Sequence, residues 1–161
     1  MQEPSKHDPD DGFNLIELLV VISLISITAT LSMMSFRGYL RTQEHRGAVR
    51  EVVGLLRNAQ VKSVSEAQTY QCQFTTTQLK IYRDGNVPPV TSAVKTYTLE
   101  PNLEFDDVKF VHTTGGYPQT TCLFYARGSA SGGALNVQRL DLGREFPVTV
   151  EQLTARVSYD D

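Results

Sequence analysis

Glu17 is the one charged side chain from Leu15 to Met34, a run of 20 positions with no Lys, Arg, Asp or Gly. A carboxylate in hydrocarbon costs about 2.5–3.5 kcal/mol. In the first turn of a helix that cost falls, because the helix dipole favours an anion there. It falls further if a cation lies four residues back on the same face. Position 13 is Phe, which carries no charge. Hydrolysis of the Gly12–Phe13 peptide bond would supply one, a free α-amine on Phe13. Gly12 is small and permissive, suited to threading through a protease cleft. The chemistry these residues point to is cleavage followed by an ion pair, with the chain as substrate.

The other reactive residues form no catalytic set. Cys72 and Cys122 are the only cysteines. Cys72 shares strand parity with Tyr70 and Phe74, and Cys122 with Phe124, so both can point inward. A disulfide and two separately buried thiols both fit that placement. There is no C-x-x-C for redox or zinc chemistry. Arg46, Arg50 and Arg57 cluster on one helix face, either as a docking stripe for a partner or phosphate, or as a solvated outer face. His7, His45 and His112 have no ligand spacing, so no metal site is expected. Asp106 and Asp107 are adjacent on a strand and face opposite sides. Ser129 and Ser131 lie in a turn without G-x-S-x-G. No phosphate-binding glycine motif is present. The sequence offers neither an active site nor a cofactor site.

Those residues must be held by a few elements. The chain has 161 residues and a formal net charge of -3, enough for one modest domain plus something extra. A helix rises ~1.5 Å per residue, so the apolar run covers ~30 Å, the thickness of a bilayer core. Ser23, Ser26, Thr28, Thr30 and Ser32 dilute it with hydroxyls that can bond back to the helix. A buried core helix is the alternative, but a chain this short has little protein to surround one. A cleaved secretory signal needs a basic start and a small-residue site after the apolar run. Here MQEPSKHDPDDG has one Lys against four acids, and MMSFRGYLRTQ follows the run. The segment 13–36 therefore reads as a retained transmembrane helix.

Residues 37–67 continue as an amphipathic helix, with Val49, Val52, Val53, Leu56 and Ala59 at helical spacing. Gly47 and Gly54 lie on one side and could admit another element closely. From Thr69 the period becomes two. Strands are expected on either side of a turn at Thr75–Thr77, then over Lys95–Leu99, Val108–His112, Thr121–Tyr125, Ala134–Leu140, Pro147–Val150 and Leu153–Ser158. A turn is expected at Asp84-Gly85. The chain reads as leader 1–12, helix 13–36, helix 37–67 and a β-rich head 68–161. That is α+β, one long helix on an antiparallel sheet or pair of sheets.

GFNLIELLVVISLI resembles the N-terminal signature of type IV pilins and of the pseudopilins of type II secretion. The resemblance implies that Gly12 ends a leader and that a prepilin peptidase cuts after it. Phe13 is then N-methylated, and Glu17 sets subunit register against a neighbour's N-terminus. FYARGSASGGALNVQR and the final VTVEQLTARVSY resemble the H-type minor pseudopilins and the related FimT minor pilins, with Ala155 where that family often has Gly. The implied partners are other pilins or pseudopilins, the peptidase, the inner-membrane assembly platform and membrane lipid. The implied place is the bacterial inner membrane, single-pass, with a periplasmic head. Two features depart from the family. The leader is acidic, and Arg37, Arg41, Arg46 and Arg50 follow the helix, which the positive-inside rule alone would place in the cytoplasm. The implied function is structural: a minor pseudopilin of the short filament or its tip complex. The alternative is a FimT-like minor pilin that binds DNA in natural transformation. Residues 37–161 hold 14 Lys+Arg and 13 Asp+Glu, a balance that argues against nucleic acid as a partner.

Overall fold

The computed structural model describes residues 14–160 except Val87, Thr114 and Leu142; the side chains at 34, 35, 37, 38 and 41 are not described. One α-helix, α1, runs without a break over Leu15–Ser65. The two helical stretches form the one long helix expected from the sequence. It passes Gly47 and Gly54, both exposed with open space beside them. Among the described residues, none makes the close approach those glycines would permit. The chain divides into two compact units, Met1–Thr42 and Gln43–Asp161, and α1 contributes to both.

In the first unit the helix start is capped. Asn14 Oδ1 accepts from the Ile16 amide at 3.3 Å, and the Asn14 carbonyl accepts from the Glu17 and Leu18 amides. This satisfies donors that a helix N-terminus leaves open. At its other end, in the second unit, the Gln68 amide reaches the Ser63 carbonyl at 3.1 Å while Ala67 turns left-handed at φ 51°. That closure usually takes Gly.

The described residues of the second unit also form eight strands: β1 Tyr70–Phe74, β2 Gln78–Tyr82, β3 Lys95–Thr98, β4 Leu103–Val111, β5 Thr121–Phe124, β6 Gly132–Arg139, β7 Arg144–Val150 and β8 Val157–Tyr159. They form two four-stranded sheets, ordered β3-β2-β1-β5 and β4-β6-β7-β8, and all the pairings are antiparallel. The expected α+β class holds, with a pair of sheets. Alternation places Tyr70, Cys72, Phe74, Leu79 and Ile81 in the core. Val49, Val52, Val53, Leu56 and Ala59 of α1 join the same cluster.

The strand ends differ from the sequence expectation where the backbone leaves regular geometry. β4 starts at Leu103, five residues earlier than expected. A bulge between Asp106 and Lys109, with Asp107 at φ 46°, breaks the alternation that would have marked it. β8 starts only at Val157. Leu153 lies in a turn, 87% exposed, and Ala155 sits in the left-handed region at φ 51°. Such a backbone favours Gly, the residue the resembled family often has there.

The sheets have four edge strands. Three are sealed by the chain itself. On β4, the Phe105 amide donates to the Thr76 carbonyl and the Phe110 amide to that of Gln119. On β5, the Leu123 amide donates to Ser131 Oγ and the Ser131 amide to the Leu123 carbonyl. On β8, the Val157 carbonyl accepts from Arg57 of α1. Among the described residues, no such bond reaches β3.

Candidate functional site: the apolar helix and its carboxylate

Glu17 stands in the first turn of α1, the acidic residue there. Its amide is held by the Asn14 carbonyl at 2.9 Å. The carboxylate is therefore placed where the open amides and the dipole favour it. Gly12 and Phe13, the expected cleavage pair and methylation site, lie outside the described residues.

Leu15–Met33 is long and apolar enough to cross a membrane, and none of that window is buried within the protein. A core helix of a soluble protein would be mostly buried. The hydroxyls in it are satisfied by the helix itself. Ser23 Oγ donates to the Leu19 carbonyl at 2.8 Å, Ser26 Oγ to Ile22 at 2.7 Å, and Ser32 Oγ to Thr28 at 2.9 Å. Thr28 and Thr30 bond the carbonyls three and four residues back. A segment whose hydroxyls are bonded back to its own carbonyls can enter lipid without stranding them.

Of the three arginines expected to form a stripe, Arg50 and Arg57 are turned toward β8. Arg57 donates from Nε and Nη2 to the Val157 carbonyl, at 3.3 and 2.9 Å, and Arg50 Nε lies 3.4 Å from the Tyr159 hydroxyl. Gln60 adds a bond to the Thr154 carbonyl. Arg46 is half-buried. Arg50 and Arg57 thus bind α1 to the last strand of their own head.

Cys72 and Cys122 are opposite one another in the β1–β5 register. Both are fully buried and carry free thiols. Burial pushes both thiols well above their usual range, and for Cys122 the nearby Cys72 adds to it.

The burial of two polar side chains was not anticipated from the sequence. His45 is 1% exposed. Its Nε2–H donates to the Val137 carbonyl at 2.9 Å, and its ring meets Phe146 edge-on, centroids 4.6 Å apart. Its i+4 relation to Val49 was the available signal. Arg139 is 6% exposed, paired with Asp141 at 2.6 Å and with Glu44 of α1 at 3.6 Å. It shares inward parity with Leu135 and Val137, with a carboxylate two residues on. Among the described residues, no three His, Cys, Asp or Glu side chains gather as metal ligands.

No family model and no curated relative matches the sequence. Solved structures do match. The minor pseudopilin EpsH from the type 2 secretion system of Vibrio cholerae is 13% identical with a TM-score of 0.54, over 73% of this chain and 96% of that one. The type IV minor pilin FimU of Pseudomonas aeruginosa is 13% identical with a TM-score of 0.59, over 76% and 92%. E. coli GspH is 13% identical with a TM-score of 0.52, over 73% and 88%. The fold is that of the minor pseudopilins and minor pilins. This pilin-like fold carries the α+β arrangement derived above, at an identity too low to carry residue roles across. In it, the capped start of α1 with Glu17 and the tether of α1 to β8 belong to one continuous helix.

Proposed function

We propose that this chain is a structural subunit, a minor pseudopilin that assembles into the short filament or tip complex of a type II secretion system. A single helix holds it in the bacterial inner membrane, with the head in the periplasm. A prepilin peptidase cuts after Gly12, and the new N-terminus at Phe13 is methylated. The assembly platform then passes it to other pilin or pseudopilin subunits. Glu17 pairs with the α-amine of a neighbour and fixes the axial register. The observation that carries this reading is one carboxylate in the capped first turn of a helix whose Leu15–Met33 stretch is otherwise apolar and unburied, on a chain with a pilin-like fold.

The test is intact-mass and N-terminal sequencing of protein recovered from its native membrane. A chain that begins at methylated Phe13 supports the proposal. A chain that begins at Met1, in cells with active prepilin peptidase, overturns it. Glu17→Ala should leave cleavage intact and reduce recovery of the subunit in filaments.

The likeness to FimU favours a second reading, a minor pilin of a type IV pilus. Its DNA-binding form is tested by a salt-dependent gel shift with the purified protein. No shift at low salt removes it.

A further inference from the structure

Among the described residues, β3 is the sheet edge that no hydrogen bond from elsewhere in the chain seals. The Leu99 amide donates to the Thr77 carbonyl, which fixes the alternation along β3. Lys95 and Tyr97 bond toward β2, and the backbone groups of Thr96 and Thr98 face outward. Among the described residues, no hydrogen bond from outside the sheet reaches them. An open edge of this kind is a template for another strand.

Beside that edge lies a groove of about 260 Å³ between α1 and the sheet. Leu55, Ala59, Ile81 and Val94 give it an apolar floor, and Lys62 and Lys95 stand on its rim. Both lysines are exposed and, among the described residues, neither makes an ion pair; Glu66, which accepts from the Tyr70 hydroxyl at the groove, is paired with Arg83. Farther along β3 the charge reverses. The Tyr97 hydroxyl is raised to about 12 by burial and then by the nearby carboxylate of Glu51.

We infer that the β3 edge and this groove receive an extended acidic–apolar segment of a partner protein, added as a fifth strand. The segment's backbone bonds the open groups of Thr96 and Thr98. Its apolar side chains fill the groove, and its carboxylates lie at the Lys62–Lys95 end, away from Glu51. The inference deepens the subunit reading by naming the chemistry of a contact. The peptide assay below reads the groove alone, whereas N-terminal processing reads the pathway, so the two can fail separately.

The experiment uses the full chain in detergent micelles and fluorescein-labelled peptides of alternating Glu and Val, with alternating Lys and Val as counterpart. The acidic peptide should bind saturably and the basic one should not. Lys62→Glu with Lys95→Glu, both exposed, should weaken binding about tenfold or more while circular dichroism is unchanged. Thr96→Pro removes one outward amide and no ladder bond; it should weaken binding with both lysines in place. Equal binding of the two peptides, no saturable binding, or indifference to Thr96→Pro overturns the inference. A concentration-dependent dimer abolished by Thr96→Pro, without peptide binding, would make the occupant a second copy and overturn it too.

Discussion

Arg57 of α1 donates two hydrogen bonds to the carbonyl of Val157, an edge-facing group of β8 100 residues later in the chain. One guanidinium thereby closes a sheet edge and holds the helix to the end of the chain. Hydrogen bonds from charged donors contribute about 1.5–3 kcal/mol, and the exposure of Arg57 places it at the lower end. Arg57→Ala should lower stability by about 1–2 kcal/mol, read as a shift in the urea midpoint. Amide exchange should rise in β8 more than in β1.

Gly133 lies where β6 passes β4. A Cβ there would stand 2.7 Å from the Phe110 Cα and closer still to the Lys109 carbonyl oxygen. Backbone cannot yield as a flexible side chain can. Gly133→Ala should destabilise the protein by about 2–3 kcal/mol, the scale of overpacking. Gly54→Ala, with open space around it, should instead be neutral or stabilising by about 1 kcal/mol. Thermal melts of the two variants should move in opposite directions.

His45 titrates below its ordinary value. Burial is the main cause, opposed by its bond to Val137; Arg139 and Arg144 add to the lowering and Asp141 opposes it. With the folded pKa below the unfolded value of 6.5, the unfolded chain takes up the proton first in mild acid. This contribution to stability is present above about pH 7 and is lost as pH falls through 6.5 toward the folded pKa. Urea midpoints should therefore fall between pH 7.5 and pH 5.5. His45→Gln, which keeps a donor but does not titrate, should flatten that slope.

The thiols of Cys72 and Cys122 are fully buried, and burial raises them. Iodoacetamide at pH 8 should label neither in the folded protein, because the thiolate is the reactive form. In urea without reductant both should be labelled. Protein recovered from an oxidising compartment with a mass lower by two hydrogens, and no labelling in urea, would mark a disulfide across this register pair.

The sequence by itself determined the parts whose physics is local. The apolar run, the lone Glu17, the helical spacing of Val49 to Ala59 and the period-two strands from Thr69 are set by neighbours within a few residues, and they gave the α+β class. Tertiary structure decided what depends on distant partners. It set two sheets rather than one, and the pairing of Cys72 with Cys122 across 50 residues. It turned Arg50 and Arg57 onto β8, and it buried His45 and Arg139. It also left β3 as the open edge, because edge status depends on which strands find partners. Left-handed residues such as Asp107 and Ala155 hid the true starts of β4 and β8. Their backbone is imposed by a bulge and a turn that no spacing of side chains records.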